Sequence, residues 1–169
     1  MQKTYYIFRH GETFATKNGT GYGVRMLSAP ILPEASPALT RLGAYLKNIP
    51  TDFNISSALK RCRQTVEIIG KESEKQFVFD KRLNDYFLES SGHFIKRLKS
   101  VLAEIEANDY QSIAICTHGA CISTLISLLT AKKDMRVEYN FFKYPPPGVL
   151  TIIEGNNVQE VNFNTLVEK

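Results

Sequence analysis

The sequence predicts an α/β fold with a mainly parallel sheet and an antiparallel edge strand. Three observations carry that expectation. Short apolar runs alternate with stretches at helical spacing through the middle of the chain, the pattern of strand-helix-strand units. Two of the apolar runs, Tyr5-Tyr6-Ile7-Phe8 and Ser112-Ile113-Ala114-Ile115-Cys116-Thr117, lead into histidines, His10 and His118. The last two runs flank Gly155-Asn156-Asn157, which reads as a hairpin turn. A chain of 169 residues suits one domain over 1–169, long enough to bury roughly 70% of the surface that its unfolded form exposes.

Taken in order, residues 4–8 form a strand whose continuous apolar character places it centrally. Residues 14–37, with Gly19, Gly21, Gly23, Pro30, Pro33 and Pro37, read as a long loop, and loops of that length are often functional. Leu39, Leu42, Leu46 and Ile49 fall at helical spacing over about 38–48, with Ser36 or Thr40 as the cap and Pro50 as the stop. Asn54-Ile55-Ser56 is a short strand. Leu59, Cys62, Val66 and Ile69 then share a helical face that Gly70 can end. Phe77-Val78-Phe79 is another strand, and 80–92 is polar loop. Phe94, Leu98, Val101, Leu102 and Ile105 mark an amphipathic helix over 93–108, which His93 begins. The 112–117 strand follows, then a helix with Ile122, Leu125, Ile126 and Leu129 on its apolar side. Pro145-Pro146-Pro147-Gly148 breaks the chain before hairpin strands at 149–153 and 158–163.

Composition narrows the function classes. A hydrophobic fraction of 43% with 22% charged residues is that of an ordinary globular protein. The net charge is only +4, and Lys and Arg are scattered, so neither a nucleic-acid stripe nor a nucleic-acid partner is expected. No apolar run approaches the ~20 residues that span a bilayer, and no secretory leader is evident, so no membrane partner is expected. The three cysteines, Cys62, Cys116 and Cys121, lie in apolar periodic segments. They read as buried free thiols and point to the cytoplasm.

If both histidine-ended strands are central and parallel, His10 and His118 emerge at one edge of the sheet. Ligands bind at that edge in open α/β sheets. Arg9 arrives beside His10. Arg61, in the first turns of a helix after a short strand, can reach the same edge. His118 and Gly119 also open a helix whose first N–H groups favour an anion. Two arginines, two histidines and a helix N-terminus suit a phosphoryl dianion. A neutral imidazole can attack phosphorus, so His10 is the candidate nucleophile. Arg9, Arg61 and His118 would stabilise the spreading charge. Asp85 or Glu89, in the loop after 77–79, could protonate the leaving oxygen and then activate water. Glu12 either touches substrate or orients its loop. Arg25, Lys60, Arg63 and Arg136 read as solvent-facing, with Arg25 or Arg136 available to a pocket rim.

These residues resemble the histidine phosphatase superfamily, in its phosphoglycerate mutase-like branch. The resemblance rests on Arg9-His10-Gly11-Glu12-Thr13, Leu39-Thr40-x-x-Gly43, Ser57-x-Leu59-x-Arg61-x-x-Gln64-Thr65, Leu83-Asn84-Asp85 and Thr117-His118-Gly119, in that order over about 4–130. It implies a three-layer α/β/α sandwich, a phosphohistidine intermediate on His10 and a phosphate pocket of Arg9, Arg61 and His118. It also implies an acid/base at Asp85 and no metal or other cofactor. The chain departs from the family in three ways. Asp85 stands where relatives often carry Glu, which keeps Glu89 in play. Thr16 stands where many carry Asn, with Asn18 as a substitute. The tryptophan-containing stretch that usually follows the acid is missing.

The expected function is that of a metal-independent phosphomonoesterase acting on a phosphorylated small molecule, with a phosphoprotein as a further possible substrate. Three alternatives share the site: a protein phosphohistidine phosphatase, a phosphoglycerate mutase, and a non-catalytic phosphate- or phosphopeptide-binding module. Only about 32 residues separate Asp85 from His118, which leaves little room for the lid a mutase needs.

Overall fold

The computed structural model describes residues 2–130 and 144–165. Strands run over Thr4–Arg9 (β1), Phe53–Ser57 (β2), Val78–Asp80 (β3), Ser112–Thr117 (β4), Val149–Glu154 (β5) and Asn157–Asn162 (β6). They form a six-stranded sheet in the order β3-β2-β4-β1-β5-β6. β1, β4, β2 and β3 pair in parallel, while β5 runs antiparallel to β1 and β6 antiparallel to β5. The antiparallel strand is therefore one place in from the edge, with β6 returning outside it.

Helices fill both faces, which gives the expected three layers. Strand side chains alternate between the faces because the pleat has a period of two. Tyr5, Ile7, Ile113 and Ile115 meet α4 (Ser91–Glu106) and α5 (Gly119–Thr130) through Phe94, Leu98, Ile105, Ile122 and Leu125. Phe8, Ala114 and Cys116 meet α2 (Ser36–Lys47) and α3 (Lys60–Ser73) through Leu39, Leu42, Leu46, Cys62 and Ile69. Ile7 and Phe8 are fully buried on opposite faces, each contributing about 1.5–3 kcal/mol of transfer free energy. α2 and α3 approach closely at Gly43, where a Cβ would sit 2.7 Å from Glu72 Cβ.

Local differences have local causes. The 14–37 segment is not plain loop. It carries a short helix, α1 (Phe14–Asn18), and 3-10 turns at Gly23–Arg25 and Pro33–Ala35. Neither Ser36 nor Thr40 caps α2. The turn Pro33–Ala35 leads straight into the helix, Ser36 is its first residue, and no side chain caps it. Gly70 does not stop α3, which runs on to Ser73 before Glu74 turns left-handed at φ 60°. A 3-10 turn, Lys81–Leu83, interrupts the expected polar loop. α4 starts two residues early because the Ser90 hydroxyl accepts from the backbone N–H of His93. Arg136, and residues 132–143 of the 132–148 connection, lie outside the described residues.

The pairing fixes what matters for function. Arg9 lies opposite Thr117 in the parallel ladder. His10 extends the ladder by donating its N–H to the Thr117 carbonyl at 3.0 Å. His10 and His118 thus leave one edge of the sheet from adjacent central strands.

Candidate active site

His10 is fully buried. Its Nδ1 lies 2.8 Å from the carbonyl oxygen of Gly11. A carbonyl only accepts, so the proton resides on Nδ1 and Nε2 keeps its lone pair. Gly11 is pinned in turn. Its N–H donates to Thr65 Oγ1 at 2.8 Å, and a Cβ here would meet Leu39 Cδ1 at 2.9 Å. The imidazole is therefore held by backbone that α2 and α3 fix. The His118 ring lies 5.3 Å away, centroid to centroid.

Arg61, in the first turn of α3, is also fully buried. Its Nη1 donates to the Met26 carbonyl at 2.6 Å and its Nη2 to Asp85 Oδ2 at 2.9 Å. The guanidinium lies 4.2 Å from the centre of the Tyr22 ring. Tyr22 also places its hydroxyl 3.3 Å from His10 Nε2 and 3.0 Å from Thr13 Oγ1. Tyr22 and Met26 thus bring a hydroxyl and a carbonyl oxygen onto the nucleophile candidate and the arginine. An incoming phosphoryl group reaches His10 Nε2 by taking the place of the Tyr22 hydroxyl.

His118 is fully buried at the head of α5. Its Nε2 lies 2.8 Å from Ser57 Oγ, and that hydroxyl is 2.9 Å from Asn84 Oδ1. The same Asn84 oxygen accepts from the Ala58 N–H at 3.0 Å. His118 Nδ1 faces Asp85 Oδ2 at 3.6 Å. Asp85 therefore stands between Arg61 and His118, on a loop tied to the strand ends. Thr117 Oγ1 donates to the Leu83 carbonyl at 2.7 Å.

The structure brings Arg9, His10, Arg61, Asp85, His118 and Gly119 together. Arg9, Asp85 and Gly119 line a cavity of about 560 Å³, with Tyr22, Met26, Tyr86 and Tyr144 among its other walls. Glu89 is placed otherwise. Its oxygens take Arg97 at 2.5 Å and His93 at 2.7 Å, and it does not line that cavity. Arg97 Nη2 in turn donates to the Asp85 carbonyl at 3.0 Å, so Glu89 steadies the loop that carries Asp85. Thr16 reaches the cavity wall, but its hydroxyl is engaged in a capping box with Thr13. Asn18 is not a substitute for the missing asparagine, because its amide donates to the Phe14 carbonyl at 2.8 Å and it stands outside the cavity. Glu12 lines a smaller adjoining cavity of about 200 Å³ with Glu34. Arg25, Lys60 and Arg63 are exposed.

Sequence reasoning passed over Tyr22, Met26, Ser57, Asn84 and Tyr144. Ser57 and Asn84 stood inside quoted motifs, which was a usable signal. Tyr22 had a weaker one, as the aromatic within a glycine-rich stretch. Tyr144 lies 4.7 Å from the Arg9 guanidinium carbon by its ring centre. A Cβ at Gly119 would come within 2.5 Å of that ring, so glycine there admits the tyrosine.

Electrostatics follow from burial. His10 is held well below the usual histidine range by desolvation first, then by the charges of Arg9 and Arg61, against a smaller opposing effect of the Gly11 carbonyl. His118 is lowered by desolvation first, then by Arg61, His10 and Arg9. Both imidazoles are neutral at neutral pH. Burial pushes the Cys121 thiol up to about 12 and raises Cys116 as well. Those two thiols stay protonated and are not nucleophiles. The histidines set a stability trend. Below the unfolded value of about 6.5 the unfolded chain takes up protons that the folded chain refuses. Stability is therefore full above that pH. It is expected to fall by up to about 1.4 kcal/mol per pH unit for each histidine as pH drops from about 6.5 toward 5. Urea unfolding across that window measures it, and a flat profile would contradict the neutral, buried assignment.

Comparison with known proteins places the chain. The sequence profile of the histidine phosphatase superfamily (branch 1) matches residues 5–89. Comparison with curated protein sequences gives no match. Among solved structures, the α-ribazole phosphatase from Shigella flexneri superposes with a TM-score of 0.72 at 18% identity, covering 96% of each chain. A mycobacterial glucosyl-3-phosphoglycerate phosphatase gives 0.72 at 15% identity, covering 90% of each chain. Phosphoglycerate mutase from Bacillus anthracis gives 0.67 at 18% identity, covering 96% of this chain and 93% of the other. At such identities the likeness is one of fold. With half of its length matched by the family profile, this chain belongs to the histidine phosphatase superfamily, branch 1.

Proposed function

We propose that the chain, a phosphatase by enzyme class, is a phosphomonoesterase that works without a metal through a phosphohistidine on His10. The observation that carries this reading is a set of unsatisfied buried atoms. Among the described residues, four buried side-chain polar atoms lack a hydrogen-bond partner, and three of them are Arg9 Nε, Arg61 Nε and His118 Nδ1. Buried polar groups are nearly always paired. The two arginine Nε–H groups beside one histidine are what an absent oxyanion would satisfy, and His118 Nδ1 joins them as a donor once the bound dianion brings that ring a second proton, since its Nε2–H already goes to Ser57.

The reaction takes two displacements. His10 Nε2 attacks phosphorus in line, the N–P bond forms and the ester P–O bond breaks. Asp85 gives the departing oxygen its proton. Water then attacks phosphorus while Asp85 takes a proton from it, and the N–P electron pair returns to Nε2. Arg9, Arg61 and His118 hold the phosphoryl oxygens throughout, where donors aimed at developing charge lower the barrier most. The substrate is a phosphorylated small molecule. The three free buried thiols support a reducing cytoplasm as the setting. None of the described helices is long and apolar enough to cross a membrane.

A panel of phosphate monoesters, phosphoglycerates and a phosphohistidine protein, assayed with excess chelator, tests the reading. Phosphate release from monoesters that chelator leaves unchanged is expected. Release confined to the phosphohistidine protein, or exchange between phosphoglycerates without hydrolysis, would favour the corresponding relative. Binding without turnover would leave only a phosphate-binding module.

A further inference from the structure

We propose that the group leaving with the ester oxygen is an uncharged aromatic alcohol, seated in the cavity beyond Arg9 and Asp85. This rests on the phosphomonoesterase reading and names its substrate class. The cavity holds about 560 Å³, far more than a phosphoryl group fills and within the range of small-molecule sites. Among its described lining residues only Arg9 and Asp85 are charged, and both belong to the reacting centre. Among the described lining residues no cation beyond Arg9 is at hand to pair a carboxylate or second phosphate on the leaving group, and an unpaired charge there would lose its water at a cost. The rest of the described wall is uncharged: Thr16 and Thr20 form part of one side, and Met26, Tyr86, Tyr144, Pro146 and Pro147 give it an apolar and aromatic side.

That wall is built rather than incidental. The Tyr144 ring lies over the Arg9 guanidinium and fills the space that Gly119 leaves open. Three prolines follow it, Pro145, Pro146 and Pro147, and each ring fixes its own φ near −65°. Tyr86 packs its ring against Phe94 at 4.9 Å between centroids. Preorganised aromatic walls lose little entropy when a flat ring enters, and they favour offset or edge contacts with it. Apolar surface also continues past the site. A neighbouring groove shares Met26 and Asp85 and adds Leu27 and Phe87, which are 64% and 39% exposed, on one side, with Lys81, Glu89, His93 and Arg97 on the other.

The test uses esters whose leaving oxygens are alike, so that leaving-group chemistry stays constant. 2-Phenylethyl phosphate, n-propyl phosphate and 3-phosphoglycerate are compared by kcat/KM. The phenylethyl ester, the one of the three that carries an aryl ring, is expected to exceed the propyl ester about tenfold, with 3-phosphoglycerate the poorest of the three. Tyr86→Ala should cut the aryl-to-propyl ratio at least about threefold, whereas Tyr86→Phe should keep it. A wild-type ratio near one, a preference for 3-phosphoglycerate, or a ratio that Tyr86→Ala leaves untouched overturns the inference while the phosphomonoesterase reading stands. Failure of the wild type to turn over any of the three overturns both. Phenyl phosphate against a phosphotyrosine peptide separates a free aromatic alcohol from the same ring on a protein. A tenfold preference for the peptide overturns the small-molecule assignment.

Discussion

Replacing His10 with alanine is expected to lower phosphatase turnover on the order of 10⁴-fold or more, the scale at which removal of a nucleophile is felt. It should also abolish the trapped phosphoenzyme, which for a phosphoramidate on imidazole is labile to acid and stable to alkali. The size of the effect follows from the geometry. His10 Nδ1 is committed to the Gly11 carbonyl, so Nε2 alone can attack, and burial with Arg9 and Arg61 keeps it unprotonated. No other imidazole in the site can take over. His118 Nε2 is engaged by Ser57, and its Nδ1 faces Asp85. Because His10 is wholly buried, alanine leaves a cavity and His10→Asn is the better-filled control. Both variants should still bind inorganic phosphate through Arg9, Arg61 and His118. Turnover that survives in either variant, with the enzyme folded by circular dichroism, would sink the covalent mechanism.

The sequence carried the parts of this site that regular structure delivers. β1 and β4 are continuous apolar runs, and their parallel pairing puts His10 and His118 side by side wherever the loops go. Arg61 could be placed because a residue in the first turn of a helix that follows a strand points back over the strand's end. The loops were harder to read because their shape depends on partners far along the chain. Tyr22 reaches His10 through a turn whose course is set by Thr13 and Arg61. Glu89 is the second candidate beside Asp85 in the sequence, and what sets it aside is Arg97, eight residues further on, which binds it. Helix ends failed for a related reason. Ser36 looked like a cap, but the 3-10 turn at Pro33–Ala35 already supplies the helix entry. The family resemblance added the roles, but it did not show which oxygens approach the arginines.

Asp85→Asn separates the proton donor from the phosphate cradle. Asp85 uses both carboxylate oxygens, Oδ2 toward Arg61 at 2.9 Å and Oδ1 toward the Tyr86 N–H at 2.9 Å. Asparagine keeps one acceptor and turns an amide toward the other donor. A stability loss of about 1–3 kcal/mol is expected from that mismatch, so assays belong well below the melting temperature. For alkyl phosphates, whose leaving alkoxide must be protonated, kcat should fall about 10²–10⁴-fold. For p-nitrophenyl phosphate, whose phenolate leaves without a proton, the first step should fall far less. Glu89→Gln weakens the grip on His93 and Arg97, and through Arg97 the tether to the Asp85 carbonyl. It should cost less than about tenfold and treat both ester types alike. Two outcomes reject the assignment. If Glu89→Gln alone is impaired, the acid is the wrong carboxylate. If Asp85→Asn slows both esters equally in a single-turnover burst, Asp85 acts by holding Arg61 and the leaving oxygen takes its proton from elsewhere. The burst is the decisive readout, because steady-state rates also include hydrolysis of the phosphoenzyme. That second step needs Asp85 as a base whichever ester delivered the phosphoryl group.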